Sequence, residues 1–257
     1  MLLAIDAGNT NIVFALYEGR TKLKGWRVST DLQRTADEYA VWLTQLMSLA
    51  GLRPSDVDAA ILASVVPPAT YDLIRLCRDH FGCDPMIVGP GTVDLGVEAR
   101  VDFPEEVGVD RLVNIVAARA SYRFPLIVVD FGTATTFDVA DDEGHYIGGV
   151  IAPGPRSALE ALHRAAAKLP RVEIERPPTV IGKGTVGAMK SGIFWGYVGL
   201  VEGLVTRIRE EYGAPMTVIA TGGLAGLFAK ASDMIDYSDP EITERGLVEI
   251  YERNKAT

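Results

Sequence analysis

Cysteine, histidine and basic charge are all scarce in this chain of 257 residues. Its two cysteines, Cys77 and Cys83, have no second pair to join and a spacing that fits no zinc site or disulfide framework. They read as ordinary half-buried thiols of a reducing compartment. The three histidines, His80, His145 and His163, are scattered and take no role. Lysine and arginine number 25 against 34 aspartates and glutamates, a net charge of −9, which argues against a polyanion-binding surface and so against nucleic acid as a partner. A nucleotide remains possible, because backbone N–H groups and a bound cation hold phosphates without a basic surface. No run approaches the roughly 18 apolar residues of a membrane span. The opening MLLAIDAGNTNIVFALY carries Asp6 early and no basic leader, so no signal peptide and no membrane contact are expected, and the cytoplasm is the expected location.

What the chain does contain is an internal echo. LAIDAGNTNIVFALYEG (3–19) is matched by IVVDFGTATTFDVADDEG (127–144), with Asp6 and Gly8 repeated as Asp130 and Gly132 at an offset of 124. Each copy is an apolar strand, an Asp-x-Gly turn and a second β-rich run, hence a hairpin opening each half. Placement at the start of each half favours duplication over coincidence. Helices follow. Thr35 and Glu38 form a capping box before Tyr39, Trp42, Leu43 and Leu46 at helical spacing. A buried strand is expected at 58–66, a helix at 69–81, a short strand at 85–89 and a helix from about Asp110 to Ser121. In the second half the spacing predicts helices at about 156–168 and 186–212, a strand at 216–221 running into Gly222-Gly223, and a last helix after Asp239-Pro240-Glu241. Strands then helices, twice over, make an α/β protein with two sheets. The boundary falls at Ser121–Pro125, giving domains of 1–121 and 122–257.

Three turns carry chemistry. At Asp6-Ala7-Gly8-Asn9-Thr10-Asn11 a strand ends in a turn that presents backbone N–H groups and hydroxyls to one point, and Gly8 allows close approach. Asp6 suits a hydrated Mg2+, which takes one or two carboxylates and keeps its waters. A plain hairpin turn explains the same residues. Asp130 to Thr136 repeats the pattern with three threonines, expected to form one hydroxyl-rich surface; a β-branched strand edge is the alternative. Gly222 and Gly223 would let a flat base or ribose lie against the backbone, or form an ordinary turn. Two facing turns would grip opposite ends of a triphosphate across a central cleft.

In their order these motifs resemble the phosphate and adenosine motifs of the actin, Hsp70 and sugar-kinase superfamily, and within it the type III pantothenate kinases, bacterial enzymes of the first step of coenzyme A synthesis. The likeness covers nearly the whole chain: DAGNTNIVFALY (6–17), EEVGVDRLVN (105–114), DFGTATTFDV (130–139), GGVIAPG (148–154), AKLP (167–170), IGKGTVGAMKSG (181–192), ATGGLA (220–225) and GLVEIYERN (246–254). It implies two duplicated ribonuclease H-like, or actin-like, domains and transfer of a phosphoryl group from ATP to pantothenate. By that resemblance Asp6, Ala7, Gly8, Asn9, Thr10, Asn11, Ile12 and Val13 bind ATP, with Thr133 from the second half. Asp6 holds Mg2+ through water, and Asp130 holds the K+ or NH4+ that the family requires. The base is Asp110 of Gly108-Val109-Asp110-Arg111, residues that also line the substrate site, with Arg111 suited to the pantothenate carboxylate. A helix N-cap is the competing reading of Asp110.

The resemblance further implies a homodimer whose pantothenate pocket crosses the interface, with Thr185 reaching it from the partner subunit. A stripe of Gly192, Gly196, Gly199 and Gly203 on one face of the long helix needs a packing reason, because glycine costs up to about 1 kcal/mol per helical position. It serves a contact between subunits or within one. One departure stands out. Family members often carry Tyr where this chain has Val101, which has no hydroxyl to donate; Phe103 is expected to fill some of that space. The rival readings are another small-molecule kinase of the superfamily and a catalytically silent regulator, and retention of Asp6, Asp110 and Asp130 weighs against the second.

Overall fold

The computed structural model describes residues 1–89, 91–166 and 169–255. The chain divides into two compact units, one of residues 1–98, 102–120 and the stretch from Ile242, the other of Ala99–Val101 and Ser121–Glu241.

In the first unit, strands β1 (Leu2–Ala7), β2 (Asn11–Glu18), β3 (Thr21–Ser29), β4 (Ala59–Ser64) and β5 (Pro85–Val88) form one sheet in the order β3-β2-β1-β4-β5. β1 and β2, and β2 and β3, pair antiparallel; β4 lies parallel to β1 and to β5. Side chains alternate between faces. Leu3, Ile5, Phe14 and Leu16 therefore share one face with Tyr39, Leu43 and Met47 of α1 (Ala36–Leu49) and Leu73 of α2 (Pro67–Arg75). Leu2, Ala4, Ala15 and Tyr17 take the other, with Val113 and Val116 of α3 (Val109–Ser121) and Leu247 and Ile250 of the last helix, Ile242–Asn254. A sheet buried on both faces explains why β1 and β4 read as apolar runs. The capping box forms: Thr35 Oγ1 accepts from Glu38 N at 3.4 Å, and Glu38 Oε2 accepts from Thr35 N at 2.8 Å.

The second unit repeats the plan. β6 (Leu126–Phe131), β7 (Ala134–Ala140), β8 (Tyr146–Pro153), β9 (Thr217–Thr221) and β10 (Tyr237–Ser238) stand in the order β10-β9-β6-β7-β8, again with two antiparallel pairs and two parallel ones. α4 (Pro155–Ala165), α5 (Thr185–Tyr212) and the short α6 (Ala225–Phe228) follow. Phe194, Val198, Val201 and Val205 of α5 close over Ile127, Val129, Phe131 and Phe137. The same five-strand order twice over is the duplicated ribonuclease H-like arrangement of actin-like proteins.

Three strands and one short helix escape sequence patterning. β3 is a charged sheet edge whose residues are exposed or half-buried. β8 carries two glycines in eight residues and is exposed or half-buried after Tyr146, and β10 and α6 span two and four residues. The larger stretch of the second unit is Ser121–Glu241, joined by Ala99–Val101. The final helix, α7 (Ile242–Asn254), belongs to the first unit instead of the second half of the chain. There Gly246 lies so close to α3 that a Cβ would stand 2.2 Å from the Val113 carbonyl oxygen. Of the family-like AKLP segment, Ala167 and Lys168 lie outside the described residues, as does the expected end of α4.

Candidate active site

The first turn joins β1 to β2 with Asp6 opposite Val13 and Ala7 opposite Ile12. Gly8 N donates to Asn11 O at 3.0 Å. The turn is clamped from the end of β3: Thr30 Oγ1 donates to Gly8 O at 2.6 Å and Thr30 N to Thr10 O at 3.0 Å. With those carbonyls tied inward, Asn9 and Thr10 stand exposed. Asp6 is half-buried, on the sheet face of Leu2 and Ala4. Ala7 and Ile12 are fully buried core residues, so only their backbones are open to a ligand.

The second turn is one residue shorter. Asp130 faces Thr136, Phe131 faces Thr135, and Gly132 N donates to Ala134 O at 3.0 Å. Its clamp comes from the start of α4: Gly154 N and Ser157 Oγ both donate to Thr133 O, at 3.0 and 2.7 Å. The three threonines do not form one surface. Thr133 is exposed, Thr136 Oγ1 donates to Asp138 Oδ2 at 3.0 Å, and Thr135 is fully buried on the opposite face, its hydroxyl without a partner among the described residues. Strand alternation separates neighbours in this way. Gly222 belongs to the same cluster. At φ +86° it lies against Asp130 and Phe131, and a Cβ would stand 2.4 Å from Asp130 Oδ1. Gly223 beside it faces open space.

Asp110 is the second residue of α3, inside the first turn and not its N-cap. Its Oδ1 accepts from Arg111 N at 3.0 Å. Gly108 explains itself here: a Cβ at that position would lie 2.6 Å from Asp110 Oδ1, so only glycine lets the carboxylate fold back over the loop. Burial pushes the Asp110 carboxyl above the ordinary range, and the N–H and charge of Arg111 pull it part of the way back. A carboxylate in that state is a stronger base near neutral pH.

Val101 is half-buried beside Arg100, whose backbone N donates to Tyr146 O at 2.7 Å. Phe103 is 60% exposed, so the expectation that it fills space left by the missing tyrosine fails. Thr185 is the first residue of α5 and exposed. Along α5, Gly192, Gly196 and Gly199 have nothing within 4 Å of a Cβ position, and Gly203 meets only Arg207 Nη1 at 3.2 Å. Packing within this chain, one of the two readings of the stripe, therefore does not fill it.

Among the described residues, no group of three or more His, Cys, Asp or Glu is placed to hold a metal ion. The single carboxylates Asp6 and Asp130 fit a cation that keeps most of its other ligands from water or substrate. Sequence reasoning missed the clamping residues Thr30, Gly154 and Ser157, which lie 20 or more residues from the carbonyls they hold.

The sequence profile of the type III pantothenate kinase family matches residues 2–207. A type III pantothenate kinase from Paramagnetospirillum magneticum is 62% identical over 99% of this chain and 98% of its own length. One from Rhodospirillum rubrum is 62% identical over 99% of both chains. Among solved structures, the activator of the 2-hydroxyisocaproyl-CoA dehydratase from Clostridium difficile, with bound ADPNP, shares the fold. It has a TM-score of 0.55 at 10% identity, over 97% of this chain and 92% of that one.

Proposed function

The chain belongs to the type III pantothenate kinase family, and on that premise we propose how its own residues divide the work. It is a kinase that phosphorylates pantothenate, with ATP and a divalent metal, in coenzyme A synthesis. In our reading Asp110 is the base. The primary hydroxyl oxygen of pantothenate forms a bond to the γ-phosphorus, the bond to the bridging oxygen of ADP breaks, and the hydroxyl proton passes to Asp110. The observation that carries this assignment is the half-buried carboxylate at the start of α3, with its raised proton affinity and a glycine beneath it. A positioned base is worth about 10²–10⁴-fold in rate.

The turn of residues 6–13 takes the ATP phosphates through backbone N–H groups and the exposed Asn9 and Thr10, and Thr133 offers a hydroxyl from the matching turn. Asp6 is assigned the Mg2+, through water, and Asp130 a monovalent cation, K+ or NH4+. Bound cations offset the charge that builds on the transferring phosphoryl oxygens. Gly108, Val109, Arg111, Val101 and Thr185 line the pantothenate site, Arg111 facing the carboxylate. Two copies of the chain pair through the open glycine face of α5, which brings Thr185 to the partner's site. The cytoplasm is the proposed location; no described helix is long and apolar enough to cross a membrane.

The test is turnover of pantothenate by the purified protein with ATP, Mg2+ and K+. Replacing K+ by Na+ should cut the rate, and indifference to the swap removes the cation from Asp130. Gly196→Leu should convert a two-chain mass in solution to a one-chain mass; an unchanged mass removes α5 from the interface.

A further inference from the structure

Neither turn assigned to ATP carries a lysine or arginine: residues 6–13 and 130–136 hold one aspartate each and no cation. A triphosphate laid on these turns meets backbone dipoles and carboxylates, and a metal ion offsets only part of its charge. The structure places an arginine at the edge of the first turn. Thr30, which clamps Gly8 O and Thr10 O, opens the loop that runs to α1. Arg34, four residues on, folds back along that loop. Its Nη1 lies 3.5 Å from the carbonyl oxygen of Ser29, and Ser29 pairs with Asn11, the residue at which the turn enters β2. The guanidinium therefore sits level with the exit of the turn.

Its surroundings leave it available to an anion. The Ser29 contact is at the long limit of a hydrogen bond. The guanidinium carbon stands 5.4 Å from the centroid of the fully buried Tyr39 ring, which gives the head a rigid apolar floor. The nearby carboxylates are taken by backbone donors: Asp31 Oδ1 by Gln33 N at 3.0 Å, Glu38 Oε2 by Thr35 N at 2.8 Å, and Asp72 Oδ1 by Ala36 N at 3.1 Å. Among the described residues Arg34 makes no ion pair, in a chain with 34 acidic side chains to 25 basic ones.

We propose that Arg34 is a further nucleotide-binding residue, its guanidinium taking non-bridging oxygens of the ATP phosphates held on the first turn. The planar fork of arginine suits that contact, which a lysine meets only as a point charge. The proposal rests on the assignment of residues 6–13 to ATP. It also explains what the Thr30 clamp is for: it fixes turn and arginine in one frame.

The test uses the full chain with Arg34→Gln, Arg34→Lys and, as a control on the clamp of the turn, Thr30→Val. Steady-state titrations of ATP and of pantothenate are paired with equilibrium binding of ATP and of adenosine, which has no phosphate. Arg34→Gln should raise the KM for ATP by roughly 10- to 100-fold, the range for one hydrogen-bonded charge pair. The KM for pantothenate, the affinity for adenosine and the melting temperature should hold. Arg34→Lys should fall between. A KM for ATP within twofold of the parent in Arg34→Gln overturns the proposal, as does an equal loss of adenosine binding, which marks a structural role. If Thr30→Val weakens ATP and Arg34→Gln does not, the turn binds ATP and the arginine does not. If neither variant changes ATP binding, the assignment of the turn falls, and the proposal with it.

Discussion

The two Asp-x-Gly turns began as one structure and are now held in different ways. Both end a central strand with a half-buried aspartate, and both turn through a glycine whose N–H bonds back across the hairpin. The first spans from Gly8 to Asn11 and is pinned by Thr30 at the exit of its own antiparallel edge strand. The second spans only from Gly132 to Ala134 and is pinned by Gly154 and Ser157, where an edge strand passes into a helix. Beside Asp6 the parallel neighbour β4 supplies Ala63 and Ser64, which carry side chains. Beside Asp130 the strand β9 runs into Gly222, pressed against the carboxylate. Duplication thus preserved the strand order and the aspartate, and the crowding around each aspartate diverged. A third carboxylate, Asp110, has no counterpart in the second unit at all.

The largest effect should come from that unmatched group. Asp110→Asn keeps an oxygen for the Arg111 N–H but cannot take a proton, and kcat should fall by about 10²–10⁴-fold. The sign of the pH dependence follows from burial. The folded-state pKa is raised, so the carboxylate form is lost as pH falls through that raised value, and activity should decline on the acid side earlier than an ordinary aspartate would dictate. For stability the same shift means a contribution present below the unfolded pKa and lost as pH rises through the folded one. At neutral pH the ionised group is therefore a cost, and Asp110→Asn should melt no lower than the parent. A variant that loses both activity and stability would make Asp110 structural.

The crowding contrast is tested next. Gly222→Ala adds a Cβ at positive φ and within 2.8 Å of Phe131 backbone atoms, whereas Gly223→Ala meets nothing within 4 Å. Backbone strain alone costs on the order of 1–3 kcal/mol, and a surface substitution clear of such features costs about 0.5 kcal/mol or less. Thermal melts should separate the two variants by several degrees. Equal melting temperatures would mean that Gly222 can yield, and that Asp130 is less tightly enclosed than its partner glycine indicates.

How much of this was legible in the sequence follows from where the interactions lie. The repeat, the capping box at Thr35, the strands β1, β4, β6 and β9 and the long α5 were readable, because each is set by a pattern within a few residues or by a continuous buried run. The edge strand β3 was not, since Lys22, Lys24 and Arg27 interrupt any apolar alternation and none of its residues is fully buried. The site residues were named through motifs, but their supports were not. Nothing local ties Ser157 to Thr133, or Gly222 to Asp130; only the folded chain brings them together. The α7 helix carried a clear helical signal and no signal of which unit it would join. That was settled by the approach of Gly246 to α3.

The smallest effect is the most discriminating between the turns. Thr30 Oγ1 and Ser157 Oγ perform the same task, each donating one hydroxyl hydrogen bond to a turn carbonyl, at 2.6 and 2.7 Å. Thr30→Val and Ser157→Ala each remove that one bond, a loss of roughly 0.5–1.5 kcal/mol, and Thr133 O keeps its bond from Gly154 N. Their stabilities should therefore drop by similar small amounts. Their kinetics separate the roles of the turns. If both turns hold phosphates, both variants raise the KM for ATP by a few-fold. If Ser157→Ala lowers stability alone and leaves the KM for ATP where it was, the second turn is a structural relic of the duplication, Thr133 is not an ATP ligand, and the nucleotide is held by the first turn and its neighbours.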